Sequence, residues 1–265
     1  MNSSKLSLLS AAMLLLAISA PALAETGQEY RGEARSTESG SLLYAEHHYL
    51  RTENGRPSER LVVYRCPSGE AFARKTVRYG EPPYAPSFRM DDIRFGYAEG
   101  FSRGQASGEA LVQRGADQPA ETDAISLGES LVVDAGFDEF VRSHWDELQA
   151  GKKVNLRFLV PSRLTAYGFK LQKTGEEDLY GEPASTFRLA LSGLFGWFAD
   201  AIDVSYRNSD RRLMRFVGLS NIRANANENL VADIQFPPAE QQDQLPSERW
   251  QQAADEALVS CQLGE

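Results

Sequence analysis

The chain has 265 residues, 42% hydrophobic and 25% charged, with 37 acidic against 28 basic side chains and a formal charge of −9. This is ordinary globular composition, and it excludes collagen, a coiled coil, a low-complexity polymer and a multipass membrane protein. Two cysteines are too few for a disulfide-dense scaffold.

Residues 1–24 read as a secretory signal peptide. Lys5 gives the positive start, Leu6 to Ala20 is almost wholly apolar, and Ala22-Leu23-Ala24 supplies the small-x-small pattern before Glu25. The apolar run is short of the roughly 20 residues a spanning helix needs. Cleavage after Ala24 is expected, leaving residues 25–265 as a single β-rich exported domain that is not an integral membrane protein. The leader takes away Lys5 and no acid, so the mature chain is more negative still. Nucleic acid is not expected as a partner, because neutralising phosphates needs clustered Lys and Arg. Arg211-Arg212 is only a pair and follows Asp210. The leader is bacterial in style, and the periplasm is the expected destination.

Leu42 to Leu50 and Arg60 to Arg65 read as strands, with Asn54-Gly55 as a hairpin turn between them. Pro67-Ser68-Gly69 makes another turn, and Ala71 to Tyr79 a third strand. Pro82, Pro83 and Pro86 interrupt regular structure. The aromatic and acidic stretch 88–104 carries no clear period. In an oxidising compartment Cys66 and Cys261 are expected to pair, closing a loop of about 195 residues.

A helix is expected near 134–150. Asp134 is a suitable N-cap, and Phe137, Phe140, Val141, Trp145 and Leu148 fall on one stripe. A second helix is expected near 247–261, with Trp250, Ala254, Ala257, Leu258 and Cys261 on its apolar side. Between the two the period switches to two. Val154–Val160, Tyr167–Leu171, Phe187–Leu191, Ile202–Tyr206, Met214–Phe216 and Leu230–Phe236 alternate apolar with more polar positions. Six such strands joined by short turns imply an antiparallel sheet with one buried face. The fold class expected is mainly β (α+β): a curved antiparallel sheet or half-barrel covered by one or two amphipathic helices. The link 192–200, with Phe195, Trp197 and Phe198, reads either as a plug for the sheet's open end or as an exposed tip.

No G-x-S-x-G, H-E-x-x-H, P-loop or G-x-G-x-x-G motif is present. No catalytic residue, metal site or cofactor is assigned. His47 and His48 are neighbours on a strand and point to opposite faces, whereas Glu46 shares a face with His48. Asp91-Asp92 is the other acid pair with an enzymatic reading, and adjacent acids on a strand point apart.

Two blocks carry a resemblance. Leu61-Val62-Val63-Tyr64-Arg65-Cys66-Pro67-Ser68-Gly69-Glu70-Ala71-Phe72-Ala73-Arg74-Lys75 is one, and Ile202 to Arg223, above all Arg211–Arg223, is the other. With Leu191–Ala199 they resemble an uncharacterised group of proteobacterial exported proteins, a family of unknown function. Residues 150–237 also resemble the curved half-barrel of periplasmic lipoprotein-carrier proteins. That second resemblance implies a concave apolar face able to take an acyl chain or other hydrophobic ligand.

The function expected is therefore a periplasmic binding or envelope-maintenance module with a hydrophobic groove. Its candidate ligand-binding residues are Phe158, Tyr167, Phe169, Phe187, Leu189, Val204, Phe216 and Ile234, with a lipid or apolar ligand and an envelope protein as candidate partners. Two alternatives stand beside it. One is a structural or protein-interaction module with a solid core, for which the aromatic link and the aromatic-acidic stretch 88–101 are the cues. The other is an enzyme such as a hydrolase, built on His48, Glu46 or Asp91-Asp92.

Overall fold

The computed structural model describes residues 26–128, 130–193 and 201–264. The expected leader and most of the aromatic link, residues 194–200 with Phe195, Trp197 and Phe198, lie outside them.

Among the described residues sixteen strands form one sheet. The first half of the chain supplies β1 (Thr26–Arg35), β2 (Leu42–Glu53), β3 (Arg56–Arg65), β4 (Ala71–Arg78), β5 (Ser87–Asp92), β6 (Tyr97–Arg103), β7 (Ser107–Gln113) and β8 (Glu121–Ser126). A two-residue strand β9 (Leu131–Val132) leads into two short helices, α1 (Gly136–Ser143) and α2 (Trp145–Gln149). The second half supplies β10 (Val154–Val160), β11 (Thr165–Leu179), β12 (Glu182–Leu191), β13 (Ile202–Arg207), β14 (Leu213–Arg223) and β15 (Asn229–Gln235). The short β16 (Gln241–Gln242) and helix α3 (Ser247–Asp255) follow.

Each half is an antiparallel meander, and the two join where β1 pairs with β15 through Glu33–Gln235, Ala34–Ile234 and Arg35–Asp233. The hydrogen-bonded path therefore starts at β8 and ends at β9, two strands that are consecutive in the chain. Laid flat, fifteen strands at about 4.8 Å spacing would put those edges some 65 Å apart. The link 127–130 reaches roughly 18 Å at full extension. The sheet has to curl until its two edges nearly meet. Side chains then bridge the seam, which no ladder closes among the described residues: Arg157 Nη1 donates to Ser126 O at 3.3 Å, and Arg114 Nη2 to Ser162 O at 3.0 Å.

Local chemistry shapes the meander. The β2–β3 hairpin turns through Asn54 and Gly55, both at positive φ (54° and 74°), the backbone a two-residue type I′ turn demands. The run Leu61-Val62-Val63-Tyr64 is buried at every position, because both faces of β3 are covered. Val62 and Tyr64 join the main core, while Leu61 and Val63 pack with Tyr49, Ala71 and Ala253 of α3.

Residues 80–130, to which the sequence assigns no element, add β5 to β8 to the sheet. Several expectations need correction. The helix expected near 134–150 breaks at His144 (φ −105°, ψ 15°) into α1 and α2. Asp134 is not its N-cap; Ala135 takes that place, and Asp134 sits at φ 42° with its carboxylate turned to Lys75 and Asn221. The second helix stops at Asp255 instead of 261. Arg65 grips the Glu256 carboxylate with two 2.5 Å bonds, and Arg74 bonds the Glu256 carbonyl, which hold the chain extended there. Helix α3 packs on the face of β3 opposite the one bearing Val62 and Tyr64, so it does not roof the concave side.

Cys66 and Cys261 form a disulfide across 195 residues of sequence. Beyond α3 the tail runs along the sheet, with Val259 N bonded to Ala71 O at 2.7 Å and Gly264 N to Leu43 O at 2.9 Å. The disulfide fastens this tail to the turn after β3. Replacing both cysteines by serine is expected to lower the unfolding free energy by about 2–5 kcal/mol, measured by urea denaturation under non-reducing conditions. An unchanged midpoint would show that the tail's backbone bonds suffice without the cross-link.

Candidate functional site

Two buried clusters fill the interior. One is built on β1–β8 with residues of β9, β10, β14 and β15; the other joins α1 and α2 to β9–β13. Leu213 and Phe216 pack against both. Between the clusters lies a cavity of about 190 Å³. That exceeds the 150 Å³ or so that holds a benzene ring and falls short of the 300 Å³ at which drug-sized pockets begin.

Register puts all eight candidate ligand residues on one face. Phe158 opposes Tyr167, and Leu171, two positions from Phe169 and four from Tyr167 on the same side of β11, opposes Leu189. Phe187, Val204, Phe216 and Ile234 then form one continuous cross-strand row. Five of the eight line the cavity: Phe158, Leu189, Val204, Phe216 and Ile234. The other three do not. Phe187 is fully buried, with its ring 5.4 Å from Trp145 of α2. Phe169 is partly buried behind Phe158, their rings 6.0 Å apart. Tyr167 is 41% exposed. An alternating pattern fixes which face a residue takes, but not how far along the barrel the hollow extends.

Opposite this wall the cavity has a polar floor, most of which the sequence did not disclose. Glu46, His48, Arg60, Lys75, Glu99 and Asp138 line it and are all buried. Strand alternation aims the first five inward, and Asp138 comes from α1. Arg60 shares a side with Val62 and Tyr64, Lys75 lies between Ala73 and Val77, and Glu99 between Tyr97 and Phe101. A charge inside a buried apolar set was the available signal.

The floor is organised by partners far apart in sequence. Lys75 Nζ lies 3.0 Å from Asp134 Oδ1, which also accepts from Asn221 Nδ2 at 2.8 Å. Arg60 Nη1 donates to Asp138 Oδ2 at 3.0 Å, and the Tyr206 hydroxyl to Asp138 Oδ1 at 2.8 Å. Burial alone would raise the Asp138 carboxyl. Arg60, Arg142 and the Tyr206 hydroxyl outweigh it and hold the group below the ordinary range. Isolated charges at such depth are prohibitively costly, so pairing is the condition of their presence.

The two glutamates are held differently. Glu46 Oε2 sits 2.8 Å from His48 Nε2, the pair that strand alternation placed on one face. Burial lowers the basicity of His48 despite the nearby carboxylate, so the imidazole is neutral and Nε2–H donates. Its ring stacks on Tyr30 at 4.5 Å, and Nδ1 has no partner among the described residues. Glu99 Oε2 accepts from the Tyr97 hydroxyl at 2.7 Å. Burial raises its carboxyl from 4.5 to about 7, with Asp134 adding to the rise and Lys75 and Arg223 opposing it.

The other enzymatic reading separates in space. Asp91 bonds Arg89 at the surface, whereas Asp92 is fully buried and gripped by Arg94. Among the described residues no group of three His, Cys, Asp or Glu is placed to hold a metal ion, and none forms a helix long and apolar enough to cross a membrane. Chemically, the site is a small hollow with an apolar wall and a polar, acceptor-rich floor.

Glu99 makes stability pH-dependent. Its carboxyl is near 4.5 unfolded and about 7 folded, so folding favours the protonated form. The contribution is complete below 4.5 and disappears as pH rises through about 7. At pH 8 the buried carboxylate therefore costs up to about 3 kcal/mol. Glu99→Gln is expected to raise the melting temperature by several degrees at pH 8 and hardly at all at pH 5. An equal gain at both pH values would show that Glu99 is not held protonated by its surroundings.

No family model matches the sequence, and no curated protein matches it. Among solved structures, the fold is similar to a crystal structure of a β-barrel-like protein of a domain of unknown function, DUF1849, from Brucella abortus. The TM-score is 0.49 at 6% sequence identity, over 83% of this chain and 98% of that one.

Proposed function

We propose that this protein is an exported, periplasmic binding module that serves the cell envelope by holding a small, largely apolar ligand inside its curled sheet. The observation that carries the reading is the cavity of about 190 Å³ walled by Phe158, Leu189, Val204, Phe216 and Ile234. Cores pack at the density of organic crystals and leave few voids larger than a water molecule, so a hollow of this size between two otherwise well-packed clusters favours a guest. The volume suits one short apolar segment and not a whole diacyl lipid. The signal-like leader and the Cys66–Cys261 disulfide support export to an oxidising compartment. Helices α1 and α2 serve as the cover on the concave side, with Phe137 and Asp138 at the cavity and Trp145 against Phe187.

Native mass spectrometry of protein purified from the periplasm tests this. A bound small molecule is expected on the wild type. It should be lost from Val204→Phe, which fills the hollow, with the melting temperature unchanged or raised. A clean unliganded mass from several preparations, with no uptake of added apolar compounds, would overturn the reading.

A further inference from the structure

The charges on the cavity floor do not balance. Four carboxylates line it, on Glu46, Glu99, Asp134 and Asp138, against two cations, Arg60 and Lys75. Each cation is taken by an aspartate, Arg60 by Asp138 and Lys75 by Asp134, both at 3.0 Å. Among the described residues no Lys or Arg pairs with Glu46 or Glu99. Glu46 receives a histidine N–H and a tyrosine hydroxyl, and Glu99 a tyrosine hydroxyl. His48, more than nine-tenths buried, lines the same cavity, and its Nδ1 is an acceptor without a donor. The floor thus lacks one kind of group: a positively charged hydrogen-bond donor.

Resting on the cavity reading above, we infer that the ligand is an amphiphile with a protonated amine head on a short apolar body, its ammonium held by Glu99 within the field of Glu46. An ammonium brings donors and charge, and a hydrogen bond to a charged group is stronger than one between neutral groups. The apolar body lies against Phe158, Val204 and Ile234 on the facing wall. An anionic head is disfavoured. A carboxylate or phosphate would meet Glu46 and Glu99, which no Lys or Arg pairs among the described residues, while Lys75 and Arg60 are already engaged. Fatty acids and phosphate-bearing lipids are therefore the wrong chemistry for this floor, although their tails suit the wall. The raised carboxyl of Glu99 fits a site that is short of a cation.

Three probes that differ only in the head separate these possibilities: octylamine, octanol and octanoate, titrated calorimetrically into the mature, disulfide-bonded protein near neutral pH. Octylamine is expected to bind at least about 10-fold more tightly than octanol, and octanoate more weakly than either. Glu99→Gln and, separately, Glu46→Gln should each remove most of that roughly 10-fold preference for octylamine over octanol. Thermal melts verify that each variant is folded, and each is read alone, so either suffices. Octanoate binding as tightly as octylamine, or an amine preference that survives both substitutions, would overturn the amine assignment and leave the apolar cavity standing. Failure of all three probes to bind would remove the cavity reading itself, and the assignment with it.

Discussion

The structure depends on one covalent constraint. The two edges of the hydrogen-bonded path, β8 and β9, are joined by only four residues. A fifteen-strand ribbon tied at that point cannot lie flat, and the β1–β15 pairing makes the ribbon continuous across its middle. Curling follows, and curling creates an inside. The inward positions of both meanders then face one another and not solvent. This is how Phe216 and Ile234, from the end of the chain, come to share a hollow with His48 and Lys75 from its beginning.

An inside made this way is not uniformly oily. The second meander supplies mostly apolar inward positions. The first supplies Glu46, His48, Arg60, Lys75 and Glu99 among its tyrosines and valines. The α1 segment adds Asp134 and Asp138 at the boundary, and these answer Lys75 and Arg60. Buried charge is tolerable when paired and bonded on every side. The aspartates meet that condition and the glutamates do not. The resulting asymmetry between an apolar wall and an acceptor-rich floor separates this interior from a plain core. In a plain core such groups would be replaced by packed hydrocarbon at no loss.

Period-two patterning was plain from Val154 to Phe236, and it gave the inward face of all six later strands because alternation is a local property of extended backbone. The pairing of Glu46 with His48 was legible for the same reason, two positions apart on one strand. The β2–β3 turn was legible because Asn and Gly accept positive φ. Helix ends were less so. The stripe in 134–150 is genuine, yet Asp134 was drawn to Lys75 across the interior, and His144 split the helix. Residues 80–130 showed little pattern because β5 and β6 bury polar groups such as Asp92 and Glu99 that mask the alternation.

By itself the sequence determined a β-rich chain, the faces of its strands, the turn at Asn54-Gly55 and which cysteines could pair. Each of these follows from neighbours within a few residues or from there being only two thiols. The tertiary structure decided that both meanders belong to one sheet, that the hollow takes five of the eight apolar candidates, and that its floor is charged. Those facts rest on contacts such as Lys75–Asp134 and Arg60–Asp138, 59 and 78 residues apart. No local pattern encodes such contacts, because they exist only once the ribbon has closed on itself.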